Sequence, residues 1–376
     1  MSGLTKVLMA GVAVSTLAAG AASAETWDMP MAYAATNFHS ATGEKFAECV
    51  TLGTGGTLEI KTHPGGSLYS GAEIKRAIQT GQVPIGERLL SGHQNENAIF
   101  GFDSVPFLAT SFEDSEKLWE VAKEPLTKIL ADQNLHLLYS VPWPAQGLYF
   151  DREVNSLEDV KGLKFRTYNN ASARMAELAG MQPVQIEAAE ISQAFATGVA
   201  QGMVSSGSTG YDRKIWESLS HYYAADAWLP RNYVMVNMDS WNSLDDTTKN
   251  VINGCAAMAE YAGDWRSIQY NEFTVNELGK NGMTTGRVSD TMAGELRAIG
   301  ETMTGRVAGD CRRTGQGHRR RIQGQTITGP HDTSARRFLL SGTHAFEGGR
   351  RWLFSSFCAP VLMRFTNSPD IWRRFS

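Results

Sequence analysis

Between Gly162 and Ser206 the apolar positions alternate between strand-like and helix-like spacing. Gly162 to Thr167 is expected to be a buried strand carrying one arginine, Arg166. Asn169 and Asn170 are placed to cap a helix from Ala171 to Ala179, and Gly180 to stop it. Pro183 to Ile186 predicts a second strand. Ala188 to Thr197 predicts a second helix ended by Gly198, and Gln201 to Ser205 a third strand. A β-α-β-α-β string predicts parallel strands joined by right-handed connections. Ligands of such sheets gather beyond the carboxyl ends of the strands. Arg166 stands at one such end, and Ser205 and Ser206 at another.

The same alternation recurs upstream. Thr26 to Ala34 reads as a strand, and Phe38, His39 and Ser40 lead into a helix from Ala41 to Leu52. A strand from Thr57 to His63, a helix from Gly71 to Thr80 and a strand from Gln82 to Glu87 follow. Ser111 to Asp132 predicts a helix, Leu135 to Val141 a strand, and Trp143 to Phe150 an extended piece. Downstream, Gly210 to Ser220 reads as a polar helix and Tyr233 to Asn237 as an apolar strand. A long helix is expected from Asp239 through Ala262 towards Leu278, then a strand from Met283 to Val288 and a helix from Asp290 to Thr304. The pattern makes two α/β lobes, with crossings near 143–150 and 230–237. Residues 25–145 and 234–262 are assigned to lobe I, and 146–233 and 263–304 to lobe II. Two lobes joined by several crossings form a hinge that closes on a small molecule.

The two ends are of different composition. Lys6 precedes an apolar run from Val7 to Ala22, and Ala22-Ser23-Ala24 is a small-x-small site. Residues 1–24 therefore read as a secretory signal peptide cut after Ala24, which predicts a periplasmic protein. Glu25 stands where a lipoprotein needs a cysteine. From Gly305 to Ser376 the chain holds thirteen arginines, no lysine and four acidic residues. The formal charge of −4 thus divides into +9 on this tail and −13 on the rest. A basic tail ordinarily suggests a nucleic-acid arm. This one mixes in Trp352, Phe354, Phe357 and Trp372 at no regular period, unlike such arms, so no nucleic-acid partner is expected. Arginine and glycine without lysine is what GC-rich DNA gives when read out of frame. Dropping one base from the permitted codons of Gly305 to Gln325 is compatible with AEWLATAGEQGKAIVDAFK, then a stop overlapping Ile327. That string has apolar residues at helical spacing and points to a one-base frameshift near Thr304 in a parent of about 325 residues. A genuine extension is the alternative.

No GxSxG, HExxH or CxxC motif occurs, and Gly53-Thr54-Gly55-Gly56 lacks the lysine of a phosphate loop. No catalytic residue, cofactor or metal is expected. The cysteines Cys49, Cys255, Cys311 and Cys358 match no metal spacing. Cys49 and Cys255 either pair, in an oxidising compartment, or sit as small buried apolar residues. Arg166 has two readings. Its fork matches a ligand carboxylate, or it forms an internal ion pair with Glu187 or Glu190. Trp143, Tyr168, Trp216 and Trp228 cluster at the crossings and strand ends.

Three segments carry a resemblance. GAEIKRAIQTGQVPIGERLLSGHQNENAIFGFDSVPFL ends in an apolar Pro-Phe-Leu. SLEDVKGLKFRTYNN contains Asp159, Gly162, Lys164 and Arg166 in an Asp-x-x-Gly-x-Lys-x-Arg pattern. YVMVNMDSWNSL contains Asn237, Trp241 and Leu244. In this order, behind a leader, they make residues 1–304 similar to the periplasmic solute-binding subunits of TRAP transporters, the DctP-like family. The string read in the shifted frame also resembles the family's usual end. The resemblance implies an α/β clamshell with parallel-rich mixed sheets and a long helix spanning both lobes. It implies capture of a small organic acid, its carboxylate on Arg166. Delivery would be to small and large integral membrane permease subunits, driven by an ion gradient. Ser205 stands where the family often has asparagine, which weakens that contact. Trp143, Tyr168 and Trp228 favour an aromatic or apolar-bodied monocarboxylate over a C4-dicarboxylate. The expected site residues are Arg166, Trp228, Trp143, Tyr168, Ser205, Ser206, Gln146, Glu87 and Phe38. Rival readings are the binding protein of an ATP-driven importer and a secreted enzyme using Glu87.

Overall fold

The computed structural model describes residues 24–305; the leader through Ser23 and the tail after Gly305, with the frameshift reading, lie outside the described residues. Strand β1 (Glu25–Pro30), helix α1 (Phe38–Gly53) and strand β2 (Leu58–His63) form a parallel β-α-β unit. Helix α2 (Gly71–Gln79) leads to β3 (Ile85–Leu89), which a single bridge from Met31 to Glu87 ties to the end of β1. Two 3-10 turns, Leu90–His93 and Ala98–Ser104, precede α3 (Phe112–Ala131) and β4 (Leu135–Pro142).

The chain then enters a second body through β5 (Gln146–Phe150). Strand β6 (Lys164–Thr167), helix α4 (Asn170–Leu178), strand β7 (Gln182–Gln185), helix α5 (Ile191–Ala196) and strand β8 (Gly202–Ser206) reproduce the alternation expected there. Both β7 and β8 pair with β6 in parallel. The local causes are visible. The Asn169 side chain accepts the Ser172 N–H at 2.8 Å and caps α4. Gly180 and Gly198 end the two helices at φ 78 and 70, a backbone region costly for any residue with a Cβ.

Beyond β8 come α6 (Gly207–Asp212), β9 (His221–Ala224), β10 (Arg231–Asn237), α7 (Met238–Ser243), α8 (Asp246–Lys280), β11 (Thr284–Arg287) and α9, from 290 onward. Two expectations differ here. The polar helix over 210–220 stops at Asp212, because Lys214 adopts a left-handed φ of 48, and β9 follows it. The long helix starts at Asp246 rather than Asp239. Asp245 accepts the Thr248 N–H at 2.8 Å and begins a new helix after the short α7.

The strands form three sheets, ordered β1-β2, β3-β10-β4 and β11-β9-β5-β8-β6-β7. The second is antiparallel throughout and the third is mixed. Two strand ends carry the chain between the bodies side by side. Trp143 N–H donates to Pro230 C=O at 2.7 Å, Gln146 N–H to Trp228 C=O at 3.0 Å, and Ala227 N–H to Gln146 C=O at 3.1 Å. Arg231 already pairs with Pro142 inside β10, so the return crossing ends just before it, ahead of the expected boundary at 233. The third connection is α8, about 52 Å long at 1.5 Å per residue. It packs on α1 and β4 near its start and on α6 and β11 further along. Gly263 lets it approach β4, since a Cβ there would stand 2.5 Å from Val141 Cγ2.

Cys49 on α1 and Cys255 on α8 form a disulfide. This resolves the open alternative in favour of pairing. The bond closes a loop across 206 positions, which removes much entropy from the unfolded chain. Replacing both cysteines by serine should lower stability by about 2–5 kcal/mol. The check is a denaturant midpoint for the full chain; an unchanged midpoint would show that the link contributes nothing.

Candidate functional site

Between the two bodies, beside the crossing strands, lies a cavity whose envelope, mouth included, encloses about 430 Å³. Its wall draws on both bodies. The first supplies Tyr33, Arg88 and Leu89, and the crossings supply Trp143 and Pro230. The second supplies Gln146, Arg166, Tyr168, Glu187, Ala188, Ser205 and Thr209. Arg166, Glu187 and Ser205 lie at or just past the carboxyl ends of β6, β7 and β8, where open α/β sheets place their ligands.

Arg166 is 3 % exposed. Its Nε donates to Ile186 C=O at 2.9 Å and its Nη1 to Val204 C=O at 3.3 Å. The guanidinium carbon stands 5.1 Å from the centre of the Tyr168 ring. It makes no ion pair with any carboxylate among the described residues. Burial lowers its pKa to about 10, so it stays protonated at neutral pH. The internal alternatives are both disposed of. Glu190 is exposed, and Glu187, whose charge still raises the Arg166 pKa, forms its ion pair with another arginine.

That arginine is Arg88, on β3. Its Nη1 and Nη2 donate to Glu187 Oε2 and Oε1 at 3.1 and 3.0 Å, a two-pronged ion pair reaching from one body to the other. Glycines make room for it. A Cβ at Gly71 would lie 2.7 Å from Arg88 Nη1, and one at Gly92 would lie 2.9 Å from Nη2. Two further hydrogen bonds join the bodies nearby, Asn169 Nδ2 to Ser91 Oγ at 2.9 Å and Asn37 Nδ2 to Asp212 Oδ2 at 2.6 Å.

The aromatic wall is fixed from behind by two polar relays. Trp228 Nε1 donates to Tyr168 Oη at 2.8 Å, and Tyr168 Oη donates to Gln146 Oε1 at 3.1 Å. Trp143 Nε1 donates to Asn232 Oδ1 at 2.8 Å, and Asn232 Nδ2 donates to Glu87 Oε1 at 2.8 Å. Phe38 packs edge-on against Trp143 with ring centres 5.5 Å apart.

A family model for the bacterial extracellular solute-binding proteins of family 7, DctP, matches residues 31–306. The chain belongs to the DctP family. A solved TRAP solute-binding protein from a marine metagenome, specific for pyroglutamate and holding it, is 53 % identical. The match covers 75 % of this chain and 93 % of that one, with a TM-score of 0.74. The Bordetella pertussis extracytoplasmic solute receptor DctP6, which binds pyroglutamic acid, is 41 % identical over 74 % of this chain and 93 % of its own, with a TM-score of 0.73. A monocarboxylate 2-oxoacid-binding periplasmic protein of Nostoc is 26 % identical; the match spans 54 % of this chain and 57 % of that relative's length. Members of this kind are two-lobed periplasmic receptors for organic acids. The β3-β10-β4 sheet with its β1-β2 unit and the six-stranded sheet are the two lobes of this DctP protein.

Of the nine residues expected at the site, Arg166, Trp143, Tyr168, Gln146 and Ser205 line the cavity. The other four stand behind it. Trp228 and Phe38 are fully buried and hold Tyr168 and Trp143 in place. Ser206 points away from Ser205, as strand neighbours must, and its Oγ accepts the Thr209 N–H at 3.3 Å. Glu87 is not among the lining residues; on β3 these are Arg88 and Leu89. Arg88, Tyr33 and Thr209 were not foreseen. The glycines at 71 and 92 were the one available hint of a bulky side chain near β3.

Glu87 is 3 % exposed, with Oε2 unpartnered among the described residues. Burial raises its pKa to about 7, against the hydrogen bond from Asn232. The folded state therefore holds a proton that the unfolded chain has released. Stability contributed at this site is greatest below about 4.5 and is lost as pH rises to about 7. His39, 3.5 Å from Glu87, is buried neutral and works the other way below its ordinary value. Comparing Glu87→Gln with the parent cancels that second group. From pH 5 to pH 8 the variant should gain on the parent by an amount on the order of 3 kcal/mol. Parallel thermal melts across that range measure it; parallel curves would refute the assignment.

Proposed function

We propose that this DctP protein captures a small cyclic monocarboxylate of the pyroglutamate type and hands it to the membrane subunits of an ion-gradient-driven transporter. Export would proceed through the leader, cut after Ala24. The observation that carries the reading is the guanidinium of Arg166, buried near the end of β6 with no ion-pair partner among the described residues, in a cavity lined by both lobes. A buried charge without a counter-ion costs several kcal/mol, and an arriving carboxylate removes that cost. Nη2 remains for the incoming oxygens, since Nε and Nη1 are committed to carbonyls.

The cavity is small, which supports a small ligand. Tyr33, Trp143 and Tyr168 supply apolar faces for a ring. Gln146, Ser205 and Thr209 offer polar groups around it. The two relatives bound to pyroglutamate, at 53 % and 41 % identity, support the same choice of acid. An aromatic acid fits less well, because the aromatic side chains already fill much of the wall.

Titrating the full chain with pyroglutamate should give saturable heat and a raised melting temperature. Arg166→Ala should weaken that binding by about 100-fold or more, with the fold retained by circular dichroism. Undiminished affinity in the variant would overturn the proposal.

A further inference from the structure

The pocket wall holds two guanidinium groups and one carboxylate, and their pairing is unequal. Arg88 and Glu187 satisfy each other through both prongs, while Arg166 has only carbonyls and a ring. Arg88 is nearly as buried as Arg166, at 4 % and 3 %. It lines the same cavity from the other lobe. The next cation, Arg213, is outside the lining and is offset by Asp212 beside it. The cavity therefore offers one uncommitted positive charge.

We infer that Glu187 sets how many carboxylates the pocket accepts, by keeping Arg88 occupied. This rests on the monocarboxylate reading of the site. A ligand with one carboxylate neutralises Arg166 and leaves the Arg88–Glu187 pair whole. A ligand with two meets a double penalty. Its second carboxylate must displace Glu187 from Arg88, which breaks a bond joining the lobes. It also leaves the displaced Glu187 carboxylate beside a second anion in a poorly solvated cleft. The seat for the pair is built in, because Gly71 and Gly92 leave the space that Arg88 fills. Removing the Glu187 charge reverses the arithmetic. Arg88 becomes a second unpaired guanidinium in the same cavity, and a dicarboxylate satisfies both.

The test is a comparison of pyroglutamate and glutarate, a five-carbon dicarboxylate, by calorimetric titration of the full chain. The parent should prefer pyroglutamate by about 100-fold or more. Glu187→Gln should narrow that preference at least tenfold through tighter glutarate binding. Glu187→Ala should do the same, which guards against a packing artefact of either side chain. Restoring charge balance with Arg88→Gln in the Glu187→Gln background should return the preference towards that of the parent. An unchanged preference in both single variants would overturn the role of Glu187 while leaving the receptor reading intact. A parent that takes glutarate as readily as pyroglutamate would do the same. A parent that binds neither acid would remove the functional reading, and this inference with it.

Discussion

A protonated guanidinium buried without a counter-ion is the constraint around which this molecule is arranged. Arg166 stands one residue from the end of β6, between β8 and β7, and its Nε and Nη1 donate to carbonyls of the two flanking segments. Carbonyls orient a cation but do not neutralise it, so the site keeps an unmet electrostatic demand. The parallel arrangement of β6, β7 and β8 creates that position. Residues of the other lobe, Tyr33, Arg88 and Leu89, complete the wall of the cavity around it. Everything else at the site is support. Trp228 and Gln146 fix Tyr168 beneath the guanidinium, and Asn232 and Phe38 fix Trp143 at the side.

The two lobes meet through polar contacts as well as apolar ones. The Arg88–Glu187 pair, the Asn169–Ser91 bond and the Asn37–Asp212 bond all span the cleft. Such contacts exchange readily with water, which suits an interface that must open to admit and release its cargo. The larger apolar cluster runs through residues of both lobes, and the smaller lies mostly within the second. The crossing strands are held to each other by main-chain hydrogen bonds, so bending there is concentrated at a few backbone angles.

Much of this was legible from residue order. The stretch from Gly162 to Ser206 announces itself because helical spacing, cap residues and stop glycines agree at each junction. Arg166 stood out as the one arginine of its strand, flanked by Phe165 and Tyr168. What was not legible depends on a strand alternating its faces. The expected strand ended at Glu87, whereas β3 runs on to Leu89, and it is Arg88 and Leu89 that line the cavity. Ser206 was credited alongside Ser205 by adjacency. The partner of Arg88 lies 99 residues away in the other lobe, and no local pattern encodes so distant a pairing. The break at Lys214 was equally hidden, since a left-handed lysine leaves no compositional trace.

The bridge between Cys49 and Cys255 has a topological consequence. Every strand of the β3-β10-β4 sheet, both backbone crossings and the whole run from β5 to β9 fall inside the ring it closes. A protease that nicks the chain once anywhere within that ring produces two pieces that remain one covalent molecule until a reductant arrives. The clamshell is thereby insured against the commonest injury of an exported protein, and a single cut in a surface loop need not release its cargo.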